Sequence, residues 1–381
     1  APGNFKDGEL NIPESGNGIP DLLDEASWLL KYFKRTRHIA MQKGFATGGI
    51  AGARVHGDYW KKPPQKPSWE DDRKWFLFGE ESMASFRYAG QAAQLAFCLD
   101  LAGFPDSAST WKKEALEVYD WAIKHTRTGD EIADARFFAA TWLYRITGND
   151  DYHRQLKSDL PPGDPRMQMP SLNRNWIPWG VWAYATMEPG KADREMQQQM
   201  RELAVWWADT LNVFPSQNRA FRFGNPWGHP MVVGQATTPM VFPCMIAFEL
   251  TGDTKYLETM IHTSDYMLGG NPLNYCWVTG LGDRSPKEIL HIDSWVDQME
   301  EPVEGQVPYG PVFEGNRGGP GFNGPWDGDL MRSIVYPETG LWPGHELWSE
   351  NRWCPITNEY TVHQNISLSA AVYGYLCGEI E

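Results

Sequence analysis

The acidic residue best placed to do chemistry is Glu359, in Ile356-Thr-Asn-Glu359-Tyr-Thr-Val-His363-Gln-Asn365. It follows a long Gly/Pro-rich stretch and opens the last apolar helical pattern of the chain. A carboxyl at such a junction has one side against apolar or aromatic groups and one side open. Burial disfavours its ionised form, and a carboxyl kept neutral near working pH can protonate a leaving-group oxygen. Glu359 is therefore the candidate general acid. The alternative is structural: a carboxylate complementing the dipole at a helix N-terminus. Two further groups have candidate chemistry. Asp327-Gly328-Asp329 offers oxygen ligands in a turn, the donor type calcium takes, though a full shell needs about six to eight oxygens. Asp134 and Arg136 form a candidate internal ion pair.

Positioning these groups falls to helices. Asn17-Gly18-Ile19-Pro20 is a turn leading into a helix within residues 11–37, with Asp21, Asp24 and Glu25 in its first turn. Lys34, Arg35 and Arg37 suit its last turn. Leu22, Leu23, Ala26, Leu29, Leu30 and Phe33 make the apolar stripe. Residues 44–80 are irregular, broken by Gly48-Gly49, Pro63-Pro64 and Pro67. Helical patterns then run over about 82–103, 110–126, 131–148, 171–187, 192–212, 237–251 and 254–268. Thr147-Gly148-Asn149-Asp150 and Thr251-Gly252-Asp253 close two of them alike, which suggests a degenerate helical-hairpin repeat. Residues 269–356 carry recurrent Gly and Pro instead, and long loops of this kind tend to hold function. The pattern predicts an all-α fold of helical hairpins, and residues 359–377 are its last helix.

The chain has 381 residues and no break in composition, so it reads as a single domain over 1–381. Its net charge of −15 argues against nucleic acid or an anionic membrane surface as partner. No apolar run is long enough for membrane insertion. The 19 Trp, 15 Tyr and 17 Phe supply many flat rings of the kind sugars stack on. Five cysteines show no metal-ligand spacing, and their odd number leaves at least one thiol free. Ala1-Pro-Gly-Asn-Phe5 reads as the interior of a longer precursor.

Asn11-Ile-Pro-Glu-Ser-Gly-Asn-Gly-Ile-Pro-Asp-Leu-Leu-Asp-Glu25 closely resembles a signature of glycoside hydrolase family 9, in the branch with an N-terminal immunoglobulin-like domain. Further resemblances follow in order: Ser82-Met-Ala-Ser85, Asp134-Ala-Arg136, Asn225-Pro-Trp227-Gly228, Asp265-Tyr-Met-Leu-Gly269-Gly-Asn271-Pro272, Val278-Thr-Gly280-Leu-Gly282 and Asn358-Glu359. The resemblance implies an (α/α)6 barrel whose long irregular loops line an active-site cleft. It implies inverting hydrolysis of β-1,4-glucan or a related glucan, Glu359 as catalytic acid, and a secreted or periplasmic protein. No cofactor is needed for that chemistry, while structural calcium is implied. Trp227 stands in the place of a substrate-cleft segment, where it would be a sugar platform. His291, in Leu290-His291-Ile292, stands where the family usually reads His-His-Arg, and carries over as a substrate hydrogen-bonder. The missing Arg and first His put plain cellulose in doubt, because a donor that pairs a substrate hydroxyl supplies discrimination. The family's base lies in an Asp-Ala-Gly-Asp segment upstream of the signature, so no base is assigned, and the first barrel helix and immunoglobulin-like domain are expected to be absent with it. Two alternatives stay open: an exo-acting glycosidase on β-linked oligosaccharides, with loops over 284–355 closing one end of the cleft, and a non-hydrolytic glycan-binding protein.

Overall fold

The computed structural model describes residues 2–56, 67–160, 176–226, 234–297, 299, 302–313 and 328–378. Helices dominate: α1 Asp21–Gln42, α2 Ser82–Leu101, α3 Pro105–His125, α4 Ala133–Thr147, α5 Asp150–Asp159, α6 Ile177–Ala185, α7 Arg194–Ala208, α8 Phe214–Asn218, α9 Phe242–Thr251 and α10 Thr254–Met267. Short helices follow, α11 Ile292–Val296, α12 Gly328–Ile334 and α13 Pro355–Asn358, and α14 Ala371–Cys377 is the last. Strand is confined, among the described residues, to two antiparallel pairs in the stretch expected to be irregular: 50–51 with 80–81, and 54–56 with 75–77. The chain gathers into two compact units, one of residues 1–62 and 73–204, the other of 63–72 and 205–381.

In the first unit α2 packs on α3 and α4, and α4 on α5 and α6. Glycine permits the approach: a Cβ on Gly90 would lie 2.5 Å from the Phe138 ring, and one on Gly180 2.4 Å from that of Phe137. Phe86, Phe137, Phe138, Leu143 and Tyr184 are wholly buried there. The two similar closures noticed in the sequence do the same work. Gly148 and Gly252 end α4 and α9 in the left-handed conformation, each with φ of 67°. Asn149 and Asp253 then cap α5 and α10, accepting from the N–H groups of Asp151 (2.9 Å) and Lys255 (3.0 Å).

The α1 expectation needs three corrections. The helix runs on to Gln42, so Lys34, Arg35 and Arg37 are not in its last turn. Arg37 is buried instead and pairs with Glu114 on α3 at 2.8 Å. The buried face carries Asp21, Asp24, Ser27 and Leu30, while Leu22 and Leu29 are 48% and 51% exposed. Buried Asp21 is satisfied by the N–H groups of Gly8 (3.1 Å) and Leu10 (2.6 Å) and by the Ser15 hydroxyl (3.0 Å). Local hydrogen bonding to the preceding loop thus overrides the apolar stripe in setting the helix's rotation.

The ion pair expected within α4 is also corrected. Arg136 binds Asp159 of α5 with two hydrogen bonds of 2.6 and 2.9 Å, and Asp134 accepts the N–H of Trp176 at 3.2 Å. Residues two apart on a helix point away from each other and cannot pair.

In the second unit Ala208, Val213, Val241, Cys244, Ala247, Tyr256, Met260 and Val372 form one core cluster. A smaller one joins Val312, Met331, Leu347, Cys354 and Ile356 beneath the long loop. None of the five cysteines, all among the described residues, is in a disulfide. Among the described residues, no helix is long and apolar enough to cross a membrane.

Candidate active site

Glu359 does not open the last helix. It ends α13, in extended geometry (φ −68°, ψ 150°), and the π-helical turns His363–Ala370 that lead into α14 begin four residues later. The N-cap of that segment is Val362, 70% exposed. A dipole-complementing role at a helix N-terminus therefore lacks its geometry.

The residues before Glu359 anchor it. Ile356 and Cys354 are sealed into the small cluster under the loop, and burying an Ile side chain is worth about 1.5–3 kcal/mol. Asn358 is fully buried, its amide donating to Ser349 O at 2.8 Å. A strand-like segment pairs alongside. The N–H of Tyr309 donates to Glu359 O at 2.7 Å and that of Gly310 to Thr357 O at 2.8 Å, and Pro308 bridges Tyr360. The Thr237 hydroxyl, fully buried, donates to Pro308 O at 2.6 Å. Gly310 has φ of +76°, and a Cβ there would lie 2.0 Å from Thr237 Cγ2, so this turn accepts only glycine.

Glu359 is half-buried. The Tyr309 hydroxyl hydrogen-bonds its carboxylate, and burial, the Glu359 charge and that bond push the phenol up to about 12. The phenol is thus a fixed donor across the working pH range, and Glu359 its acceptor.

His291 is brought to the same place. Its loop is stitched to the Glu359 segment by Leu290 N–H donating to Asn358 O at 2.9 Å. Its ring meets Tyr360 edge-on, with centroids 5.5 Å apart. His291 Nδ1 lies 2.6 Å from the Ser294 hydroxyl, leaving Nε2 as the ring's other polar atom. Asp293, beside it, accepts the Ser68 N–H at 2.6 Å. Burial works to raise this carboxyl, but the Ser68 hydroxyl and N–H, with His291, outweigh it and hold Asp293 below the usual carboxylate range. Burial raises Tyr360 as well, against a hydrogen bond from Gln306. Glu288 and Arg352 pair in bidentate fashion, and Arg352 covers the Trp295 ring at 5.2 Å from its centroid, which braces the His291 loop.

A half-buried carboxyl with a phenol donor on it suits proton delivery to an oxygen of a hydroxyl-rich ligand, and the His291 loop is paired to the same segment. Tyr309, Ser294, Asp293 and Thr237 had no signal in the sequence; Tyr309 and Thr237 come from loops whose spacing follows no period, and Asp293 and Ser294 from α11, whose 5 residues are too few to show one. Trp227 lies outside the described residues, and so does Asp327 of the turn considered for calcium. Among the described residues, no group of three or more His, Cys, Asp or Glu side chains could hold a metal ion.

The first unit holds a separate cavity of about 440 Å³ between α1 and α2, lined by Trp28, Tyr32, Arg54, Arg87, Gln91 and Trp176 among others. Trp176 packs on Phe138 and under Arg87, while Trp182 is 4% exposed and meets Trp179 edge-on.

Comparison with known proteins follows the same line. The profile of glycosyl hydrolase family 9 matches residues 7–372. A cellulose 1,4-beta-cellobiosidase of Acetivibrio thermocellus is 26% identical over 95% of this chain and 43% of its own length. A xyloglucan-specific endo-beta-1,4-glucanase of Bacteroides ovatus is 26% identical over 81% of this chain and 55% of its own. This chain thus spans about half the length of these curated relatives. Among solved structures, a metagenome-derived glycoside hydrolase family 9 endoglucanase superposes with a TM-score of 0.77 at 20% identity, over 98% of this chain and 64% of that one. A family 9 protein of Bacteroides ovatus gives 0.72 at 22% identity, over 98% and 65%. This likeness establishes the fold as the all-α (α/α)6 class expected from the sequence.

Proposed function

The chain belongs to glycosyl hydrolase family 9, and from that premise we propose that it hydrolyses β-1,4-glucan or a related glucan with inversion, Glu359 serving as general acid. The observation that carries this reading is the Glu359 carboxyl, half-buried, held by Tyr309 and adjoined through Tyr360 by His291. Glu359 gives its proton to the glycosidic oxygen as the bond to the anomeric carbon breaks. Water adds to that carbon from the opposite face and loses a proton to a carboxylate base; in inverting enzymes the two carboxyls stand about 6.5–9.5 Å apart. We assign the base to none of the described carboxylates. His291 hydrogen-bonds a substrate hydroxyl, and Trp227 is a sugar platform. The Asn11-Ile-Pro-Glu-Ser signature supports the branch with an immunoglobulin-like domain, and a polymeric substrate supports a secreted or periplasmic protein that forms one catalytic domain over 1–381. Structural calcium stays a proposal for Asp327 and Asp329, the latter in the first turn of α12.

The test is Glu359→Gln, which keeps the side chain's size and removes its proton. Loss of general-acid help costs about 10²–10⁴ in rate. We expect that loss on glucan, a smaller one on an aryl glycoside with a good leaving group, and unchanged oligosaccharide binding. A variant that hydrolyses glucan at the parent rate sinks the assignment. Viscosity that falls before reducing ends accumulate marks endo action; release of short sugars without viscosity loss marks the exo alternative.

A further inference from the structure

Resting on the reading of Glu359 as acid, we propose that Tyr309 is its positioning residue: the phenol fixes one carboxyl oxygen and stabilises the carboxylate formed as the proton leaves. Three observations converge. Tyr309 is tied to Glu359 twice, by its N–H to Glu359 O at 2.7 Å and by its hydroxyl to the carboxylate. Its backbone is immobilised on both sides, by Thr237 on Pro308 and by the glycine-only turn at Gly310. Its phenol is half-buried and kept protonated, so it can donate and does not compete as an acid.

The charge acting on this phenol is Glu359. The other titratable groups nearby act on the next residue or on each other: Asp293 on Tyr360, His291 by ring contact with Tyr360, and His291 on Asp293. Tyr309 and Glu359 thus form a unit within which one hydrogen bond sets proton affinity. A donor to a carboxylate favours the charged form. It therefore lowers the pH up to which Glu359 keeps its proton, and it lowers the barrier by strengthening as negative charge develops.

The test is Tyr309→Phe in the full chain. Without the donor, the alkaline limb of the rate profile, where the acid loses its proton, moves up by about one pH unit. Turnover on glucan falls about tenfold with KM nearly unchanged, and turnover on an activated aryl glycoside falls less. Carbon-13 titration of the Glu359 carboxyl, identified by its loss in Glu359→Gln, reads the same shift without turnover. Site-specific 3-fluorotyrosine at 309, a stronger donor of nearly the same shape, moves the carboxyl titration down, and this reports even if Tyr309→Phe folds poorly. A limb and a carboxyl titration that stay put in folded Tyr309→Phe overturn the inference alone. Parent-level activity in Glu359→Gln overturns the reading beneath it, and the inference with it.

Discussion

Carboxylates in this chain differ by what their oxygens touch rather than by their place in the sequence. Glu359 and Asp159 are both drawn inward, yet Asp159 meets a guanidinium squarely and Glu359 a phenol. Asp159 is 5% exposed and takes both Arg136 bonds and a third, from the Gln155 amide, at 3.0 Å. Such a group is spoken for. Its bond to Arg136, more than the ion pair's Coulomb energy, raises the guanidinium's proton affinity, against the cost of burial. Removing one partner of a buried pair strands the other, at about 3–5 kcal/mol. We expect Asp159→Asn to lower unfolding free energy by an amount within that range, read by urea titration, while activity per folded molecule holds. The sequence made Glu359 legible because its neighbours form a recognisable order. It hid Asp159, 23 residues from its partner, since nothing in residue spacing reports a contact between α4 and α5. Tyr309 was hidden for the same reason, its partner being 50 positions away across loops.

At the scale of elements, the long apolar helices were readable and the polar or irregular ones were not. α2, α3, α4, α9 and α10 fall where periodicity placed them, within a turn or so at their ends. α5 was missed because Asp150–Asp159 has one fully buried apolar side chain, Leu156, and so no stripe; its signals were the Gly148 stop and the Asn149 cap. The last helix was expected from residue 359, but it starts only after Glu359 has left α13 in an extended conformation, and its first turns are π-helical. π-Helical turns often accompany functional sites. What aligns Glu359 is therefore the paired 308–310 segment, and Gly310 is its most constrained point. An Ala there must hold a left-handed conformation, at about 1–2 kcal/mol, and push Thr237 aside, at about 1–3 kcal/mol more. Gly310→Ala should lose stability by the sum of these in a melting experiment. Turnover should fall beyond what the folded fraction explains, because the displaced segment carries Tyr309. Normal turnover in the folded fraction would show that this segment does not align Glu359.

For the whole molecule, class and charge were legible and pH response was not, because that response depends on hydrogen bonds to carboxylates made by chain folding. Asp21, Glu80, Glu188, Asp193 and Asp293 are all held below their usual range. Glu80 shows the cause. Burial would raise it, but the N–H groups of Thr47, Gly49 and Gly48 and the Thr47 hydroxyl all point at it and win. A carboxylate depressed in the folded state contributes stability above its unfolded value. That contribution drains away as pH falls below the unfolded value and through the folded one. His153 acts in the same direction at a higher pH. Burial depresses it, stacked on Tyr144 with centroids 4.7 Å apart, so the folded state resists its protonation. Its contribution begins to fade below the ordinary histidine value of about 6.5. Unfolding free energy should therefore decline in two windows, gently below pH ~6.5 and more steeply below ~4.5. Glu80→Gln separates them. It removes one depressed carboxylate, so it should destabilise the protein at neutral pH, lessen the slope in the lower window, and leave the histidine window as it was. Urea midpoints at closely spaced pH values from 7 to 3 give both slopes. If the lower slope in Glu80→Gln equals that of the parent protein, the three backbone donors around Glu80 do not set its proton affinity, and the acid sensitivity must come from the other four carboxylates.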